Sequence, residues 1–388
     1  MTNTKWLSAL LAGTALTVAS TAAMADTSLV TMTRNAAGEG VTFKIAPTAD
    51  MPASAAEVTV AGEVRALLTS AKATVVADDT FGLSDGDRQN DLGTRARIFI
   101  KGKTETSVGV VGANLRVQDS NGSAAKIDEY TGYWEFAPGM TLTAGKAGSI
   151  SSVDYGADAN GTGGVWAGVG AGLTNPSVEQ VNVSLATGPI TMAFGVEDNT
   201  SASQFDSDDG EDVSKSNPGI AGTMNFSSGD FGAQIAGRTQ SFDTEAGTTT
   251  QADSGYMIGG GLGYSAGAFG LEIGAATGRG LSADYVSGAG DLVDAGADLT
   301  DDKFMAASIL GTFSMTETTS VELWYGQGKV SNLEAGTKDA KVSGYGAGVF
   351  WNPVSQLRLG VGGDMTTVKI DTVEVDVSQV GVGAWFKF

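Results

Sequence analysis

From Val58 to Phe388 the chain is written in period two, and the breaks in that rhythm constrain its fold more than any other feature. VTVAGEVRALL shows the unit: Val58, Val60, Gly62, Val64, Ala66 and Leu68 fall on one face, Thr59, Glu63 and Arg65 on the other. Strict alternation of one apolar and one polar face is a half-buried strand. Sixteen such segments can be counted, at 58–69, 93–104, 107–118, 127–137, 140–147, 177–187, 189–197, 217–227, 230–241, 254–265, 268–277, 303–314, 319–329, 341–352, 356–368 and 372–388. The gaps between them alternate. Glu105-Thr106, Pro138-Gly139, Gly188, Ser228-Gly229, Ala266-Gly267, Met315 to Thr318 and Pro353 to Ser355 are tight, whereas 70–92, 119–126, 148–176, 198–216, 242–253, 278–302 and 330–340 are long and mostly polar.

Most segments have roughly the 9 to 11 residues that a tilted strand needs to cross a bilayer. Short turns on one side, long loops on the other and no long apolar run after residue 25 predict an all-β fold. It is a sixteen-stranded antiparallel transmembrane β-barrel over 58–388, because only closed strands or helices satisfy every backbone group in lipid. An even count puts both termini on the short-turn, periplasmic side. Lys5, the apolar stretch Trp6 to Ser20 and the small-x-small site Ala23-Met24-Ala25 read as a signal peptide over residues 1–25, which predicts export to the cell outer membrane. Residues 26–57, with Pro47 and Pro52, read as a periplasmic N-terminal arm to which the sequence assigns no role.

Parity then separates lipid from water. In TRARIFIKGK one row holds Ala96, Ile98, Ile100 and Gly102, and the other holds Arg95, Arg97, Phe99, Lys101 and Lys103. Four cations cannot point into hydrocarbon, where a midplane Arg or Lys costs ~2 to 4 kcal/mol. The same rule turns Glu63, Arg65, Arg116, Arg238, Glu272, Glu322, Arg358 and Asp364 inward. A lumen so charged is a wet channel, not a packed core. Trp134, Phe136, Phe226, Phe231, Phe269, Phe313 and Trp351, near strand ends, suit interfacial girdles.

Composition narrows the chemistry. With no His and no Cys there is no Ser-His-Asp triad, thiol nucleophile or ordinary zinc site, and no convergent catalytic group replaces them, so no enzyme and no cofactor is expected. With 44 acidic against 23 basic residues, a nucleic-acid partner is not expected either. DGDRQND at 85–91, DSDDGED at 206–212 and DLVDAGADLTDD at 291–302 put much of the negative charge in the long loops. There it is solvated or bridges through Ca2+ to the outer-membrane lipid and its lipopolysaccharide. A calcium-binding surface adhesion or structural barrel is the alternative these loops leave open.

LGTRARIFIKGKTET followed by LRVQ, then DEYTGYWEF, MTLTAGKAGS, and a last strand VGVGAWFKF ending in Phe resemble the general porins of alphaproteobacteria. The resemblance implies a channel for passive diffusion of ions and small hydrophilic solutes and a homotrimer. It also implies that Phe386 and Phe388, with Val382 on the same face, signal to the barrel-assembly machinery. Finally, it implies that the third long loop, 148–176, folds into the lumen as the constriction. That loop has neither strand nor helix period, and Asp154 and Asp158 are its charges, set to face a wall carrying Arg65, Arg95, Arg97 and Arg116.

Overall fold

A computed structural model describes residues 30–34, 40–45, 56–77, 86, 88–120, 124–157, 172–198, 211–246, 249–287, 302–331, 339–370 and 373–388. The signal segment lies outside them. The strands are β1 (Val30–Arg34), β2 (Val41–Ile45), β3 (Ala56–Ala77), β4 (Gln89–Thr106), β5 (Gly109–Ser120), β6 (Lys126–Ala137), β7 (Met140–Gly148), β8 (Ser177–Thr187), β9 (Ile190–Asp198), β10 (Glu211–Ser228), β11 (Phe231–Ala246), β12 (Thr249–Ala266), β13 (Phe269–Arg279), β14 (Lys303–Ser314), β15 (Thr319–Ser331), β16 (Asp339–Val354), β17 (Leu357–Ile370) and β18 (Val373–Lys387). From β3 onward each strand pairs antiparallel with the next, and β18 returns to pair with β3. Sixteen strands therefore close a barrel.

Faces follow the alternation. Val64, Leu68, Leu92, Ile100, Phe194, Ile235, Leu262, Leu271, Leu323 and Val361 stand exposed on the outward rows, while β8 and β13 alternate exposed and buried positions along their length. Aromatic pairs Trp134–Phe136, Phe226–Phe231 and Phe269–Phe313 sit beside the short turns, with ring centroids 5.4, 6.3 and 4.8 Å apart. They mark one edge of the apolar band.

The expected strand ends are corrected. Several strands run past the predicted ends on the long-loop side: β3 reaches Ala77, β4 begins at Gln89, and β11 and β12 extend to Ala246 and from Thr249. Both ends of the segments expected as loops at 70–92 and 242–253 are therefore ladder, and Gln89 to Asp91, Glu211 and Asp212 belong to strands. Polar residues end the apolar pattern where the bilayer ends, but backbone pairing needs no apolar face and continues into water. The N-terminal arm, in turn, contains β1 and β2, a hairpin whose second strand pairs Val41–Ile45 with Ala56–Val60 at the start of β3. This is the edge of β3 that β18 leaves free below Glu63, where the Phe388 carbonyl accepts from the Gly62 amide at 2.7 Å.

Candidate functional site

Two inward-facing groups of residues stand on opposite sides of the ring. The first lies on β3 to β6. Register puts Glu63 opposite Arg97 and Arg65 opposite Arg95, all on the inward row. One carboxylate oxygen of Glu63 is 3.0 Å from Arg65, 3.8 Å from Arg95 and 3.6 Å from Arg97, with the Glu63 side chain almost buried beneath them. Arg97 Nε donates to Gln118 Oε1 at 2.5 Å, and the Arg65 guanidinium lies over the Trp385 ring, 3.9 Å from its centroid. Arg116 reaches Asp128 and Glu129, each at 2.7 Å.

Glu63, expected on the same inward row, and two carboxylates of β6 complete this basic wall: four guanidiniums share three carboxylates. Asp128 arrives through a β-bulge, because Arg116 pairs with Glu129 and Val117 with Ile127, leaving Asp128 as the extra residue. Simple parity cannot foresee that. Lys103 lies 3.3 Å from Glu57, which also holds Lys44 at 2.7 Å, and Lys101 lies in register with Thr59 and Asn114. Both belong to the short-turn end of the same wall.

The second group is the described part of the third loop, 149–157 and 172–176, which packs on the inward rows of β11 to β15. Tyr155 rests where Gly232, Gly261, Gly263 and Gly274 leave the wall without side chains; a Cβ on Gly261 would stand 2.5 Å from that of Tyr155. A strand glycine of this kind marks the close approach of another segment. The Asp154 amide donates to Gln234 Oε1 at 2.8 Å, and Gln234 Nε2 returns a bond to Asp154 Oδ2 at 3.1 Å. Asp154 is exposed to the lumen, yet partial desolvation against the wall raises its carboxyl from the ordinary aspartate value, and the Gln234 hydrogen bond offsets part of that. Glu272 accepts from the Gly156 backbone.

A third element joins this loop and corrects the expectation for 278–302, which was read as an outward loop. Residues 280–287 turn inward with a one-turn helix, α1 (Ser282–Tyr285), between both ends of the third loop. Leu173 bridges to Val286, Thr174 N donates to the Tyr285 carbonyl at 3.2 Å, and Ser287 N donates to the Gly172 carbonyl at 2.9 Å. Beneath them lies a buried polar cluster. Glu197 accepts from Ser149 Oγ at 2.7 Å and from the Ile150 amide at 2.6 Å. Arg238 lies 3.8 Å from Glu197 and 3.4 Å from Asp284, and donates to Gln240. The Tyr285 and Ser151 hydroxyls bond at 2.7 Å, and full burial pushes the Tyr285 phenol above its ordinary range.

The remaining sequence candidates fall elsewhere on the inward face. Glu322 pairs with Arg358 at 2.6 Å, and Arg358 stacks 4.3 Å from the Phe350 centroid. Asp364 is buried in register with Gly346 and Gln379. Phe386 and Phe388 stand on the outward row with Val382, each about half exposed. Asp158 and most of the acidic loop runs lie outside the described residues. Among the described ones, no group of three or more His, Cys, Asp or Glu is placed to hold a metal. Sequence reasoning missed Asp128, Gln234, Asp284 and Tyr285. Gln234 had the inward parity that flags a wall position; Asp284 and Tyr285 carried no signal.

Since β11 is eight strands from β3 in either direction, the glycine floor under Tyr155 stands across the barrel from the Glu63 arginines. No protein-family model matches the chain, and no curated protein does. Solved structures do. Outer-membrane expressed OmpT of Vibrio cholerae aligns with a TM-score of 0.56 at 13% identity, covering 86% of this chain and 98% of its own. The trimer form of in-vitro folded OmpT gives 0.56 at 13%, covering 86% and 99%. An anion-selective porin from Comamonas acidovorans gives 0.54 at 14%, covering 86% and 100%. At such identities the likeness is one of fold, and the chain shares the fold of these outer-membrane proteins over nearly their whole length.

Proposed function

We propose that the chain forms a water-filled channel in the outer membrane, through which ions and small hydrophilic solutes diffuse passively. The observation that carries this reading is the charged inward face of a closed barrel whose outward rows are apolar. A soluble barrel would reverse those faces. The third loop serves as the constriction: anchored on β11 to β15, it sets Asp154 across the lumen from the arginine cluster, and Asp158, outside the described residues, is assigned the same role. Opposed charges ~8 Å apart interact by about 0.5 kcal/mol in bulk water and ~2 at an effective dielectric of 20. That orients a passing dipole without trapping it. The role is that of a channel and not an enzyme, and the assembly a homotrimer, a reading that the trimer form of OmpT supports.

Planar-bilayer recording of purified, folded protein tests the proposal. Step-like conductance is expected, and a folded preparation that inserts without steps overturns it. Leaving conductance and ion preference unchanged in the double substitution Asp154→Asn with Asp158→Asn would remove the constriction role assigned to those two residues.

A further inference from the structure

Near the long-loop end, the outward face of four consecutive strands gathers lysines. Lys329 on β15 is in register with Lys341 on β16, and Lys341 with Lys369 on β17. Lys303 heads β14, two positions above Met305, the residue opposite Lys329. All four share rows with the exposed Met305, Tyr325, Tyr345 and Val361, and so point away from the lumen.

In-register neighbours on one face hold their Cβ atoms about 4.5 to 5.5 Å apart, and like charges so placed repel. A chain with 44 acidic and 23 basic residues has no compositional need for three ammoniums side by side. Internal acids answer part of the charge. Asp339 takes Lys329 at 2.8 Å and Glu374 takes Lys369 at 3.1 Å. Lys341, at the centre of the row, and Lys303 form no ion pair among the described residues. Below the lysines come Gln327 and Ser343, then Tyr325 opposite Tyr345, with the Tyr325 hydroxyl donating to Gln327 at 3.2 Å. Lower still, the exposed Leu323, Val349 and Val361 continue the apolar band.

We propose that this face of β14 to β17 binds the phosphate-bearing headgroup of an anionic membrane lipid. Lys341 and Lys303 are its direct contacts, and the acyl chains lie along Tyr325, Tyr345, Leu323 and Val349. The order along the strands, ammonium then polar side chain then phenol then aliphatic, matches an anchored amphiphile and not a free anion. A compact ammonium on a flexible stem suits a phosphate that arrives without fixed geometry. The proposal rests on the membrane reading of the barrel.

Thermal unfolding of the full chain in dodecyl maltoside provides the test, with dihexanoyl phosphatidic acid, dihexanoyl phosphatidylcholine and inorganic phosphate each titrated in. Phosphatidic acid is expected to raise the midpoint saturably, and the other two to leave it in place. In Lys303→Gln with Lys341→Gln the half-saturating concentration should rise about tenfold, while Lys303→Arg with Lys341→Arg should keep the wild-type curve. An equal response to phosphatidylcholine or to inorganic phosphate overturns the proposal, as does a Gln variant that titrates like wild type. Should the double Gln variant not fold, Lys341→Gln alone replaces it under the same criterion. Bilayer recordings on the same samples separate the two readings: loss of the lipid response with conductance intact supports the site, whereas absent conductance counts against the channel alone.

Discussion

Glu197 and Arg238 face each other at 3.8 Å with neither side chain touching solvent. Each is held by a further partner from a loop, Ser149 on one side and Asp284 on the other. The pair therefore fastens two inward-folded segments to β9 and β11 at once. Truncating Arg238 to Met leaves two buried carboxylates without their cation, a loss of about 3 to 5 kcal/mol by the usual cost of breaking a buried pair. Thermal unfolding in detergent should show the drop, and single-channel records should become noisier as the third loop loosens. Quiet records with full stability would refute the fastening.

Glu63 sits under three arginines, so its removal exposes positive charge to the passage without moving a backbone. Glu63→Gln is expected to shift the reversal potential in a KCl gradient toward anions. A change of one unit charge ~8 Å from a permeating ion is worth at least about 0.5 kcal/mol, or about twofold in permeability ratio. Raising ionic strength should shrink the shift. An unchanged or cation-directed potential rules the arrangement out.

The raised carboxyl of Asp154 sets a pH dependence. Because the folded state holds this proton more tightly than the unfolded chain does, the linked stability is fully present below the ordinary aspartate value of about 3.9 and is lost as pH rises through the higher folded value. In the channel, the loop correspondingly sheds negative charge on acidification, starting above that ordinary value. Cation preference should fall along the same curve, and Asp154→Asn should flatten it. Matching titrations of wild type and variant would show that another group is responsible.

Gly261 is a packing prediction. Its missing side chain admits the Tyr155 Cβ, so Gly261→Val should displace the loop at a cost of about 1 to 3 kcal/mol. Conductance should change with it, whereas valine at the outward Gly311 of β14, where a Cβ meets nothing nearer than 3.9 Å, tests the strand alone. Equal effects from both substitutions would mean that the glycines serve the strand and not the loop.

The sixteen strands were legible because burial on one face and water on the other leave a period that needs no partner to be read. Their ends were less so, since β3 and β11 carry their ladders beyond the apolar pattern. Arg65, Arg95, Arg97 and Arg116 could be assigned inward from parity, but their neutralisation by Glu63 and Asp128 depends on register and on one bulge. These are properties of pairs of strands. The inward turn at Ser282–Tyr285 left no trace at all, because what holds it is contact with Leu173 and Arg238, distant in sequence.

The hydrogen bond between Gly62 and Phe388 has a consequence in time. About three hundred residues of sequence separate its two ends, so the seam is a contact of very high sequence separation, the slowest kind to form. Until β18 is in place, β3 presents a bare edge from Glu63 to Ala77, and the β1–β2 hairpin covers only its first five positions. The strand that begins the wall must wait for the one that finishes it, and until they meet the ring keeps an open seam.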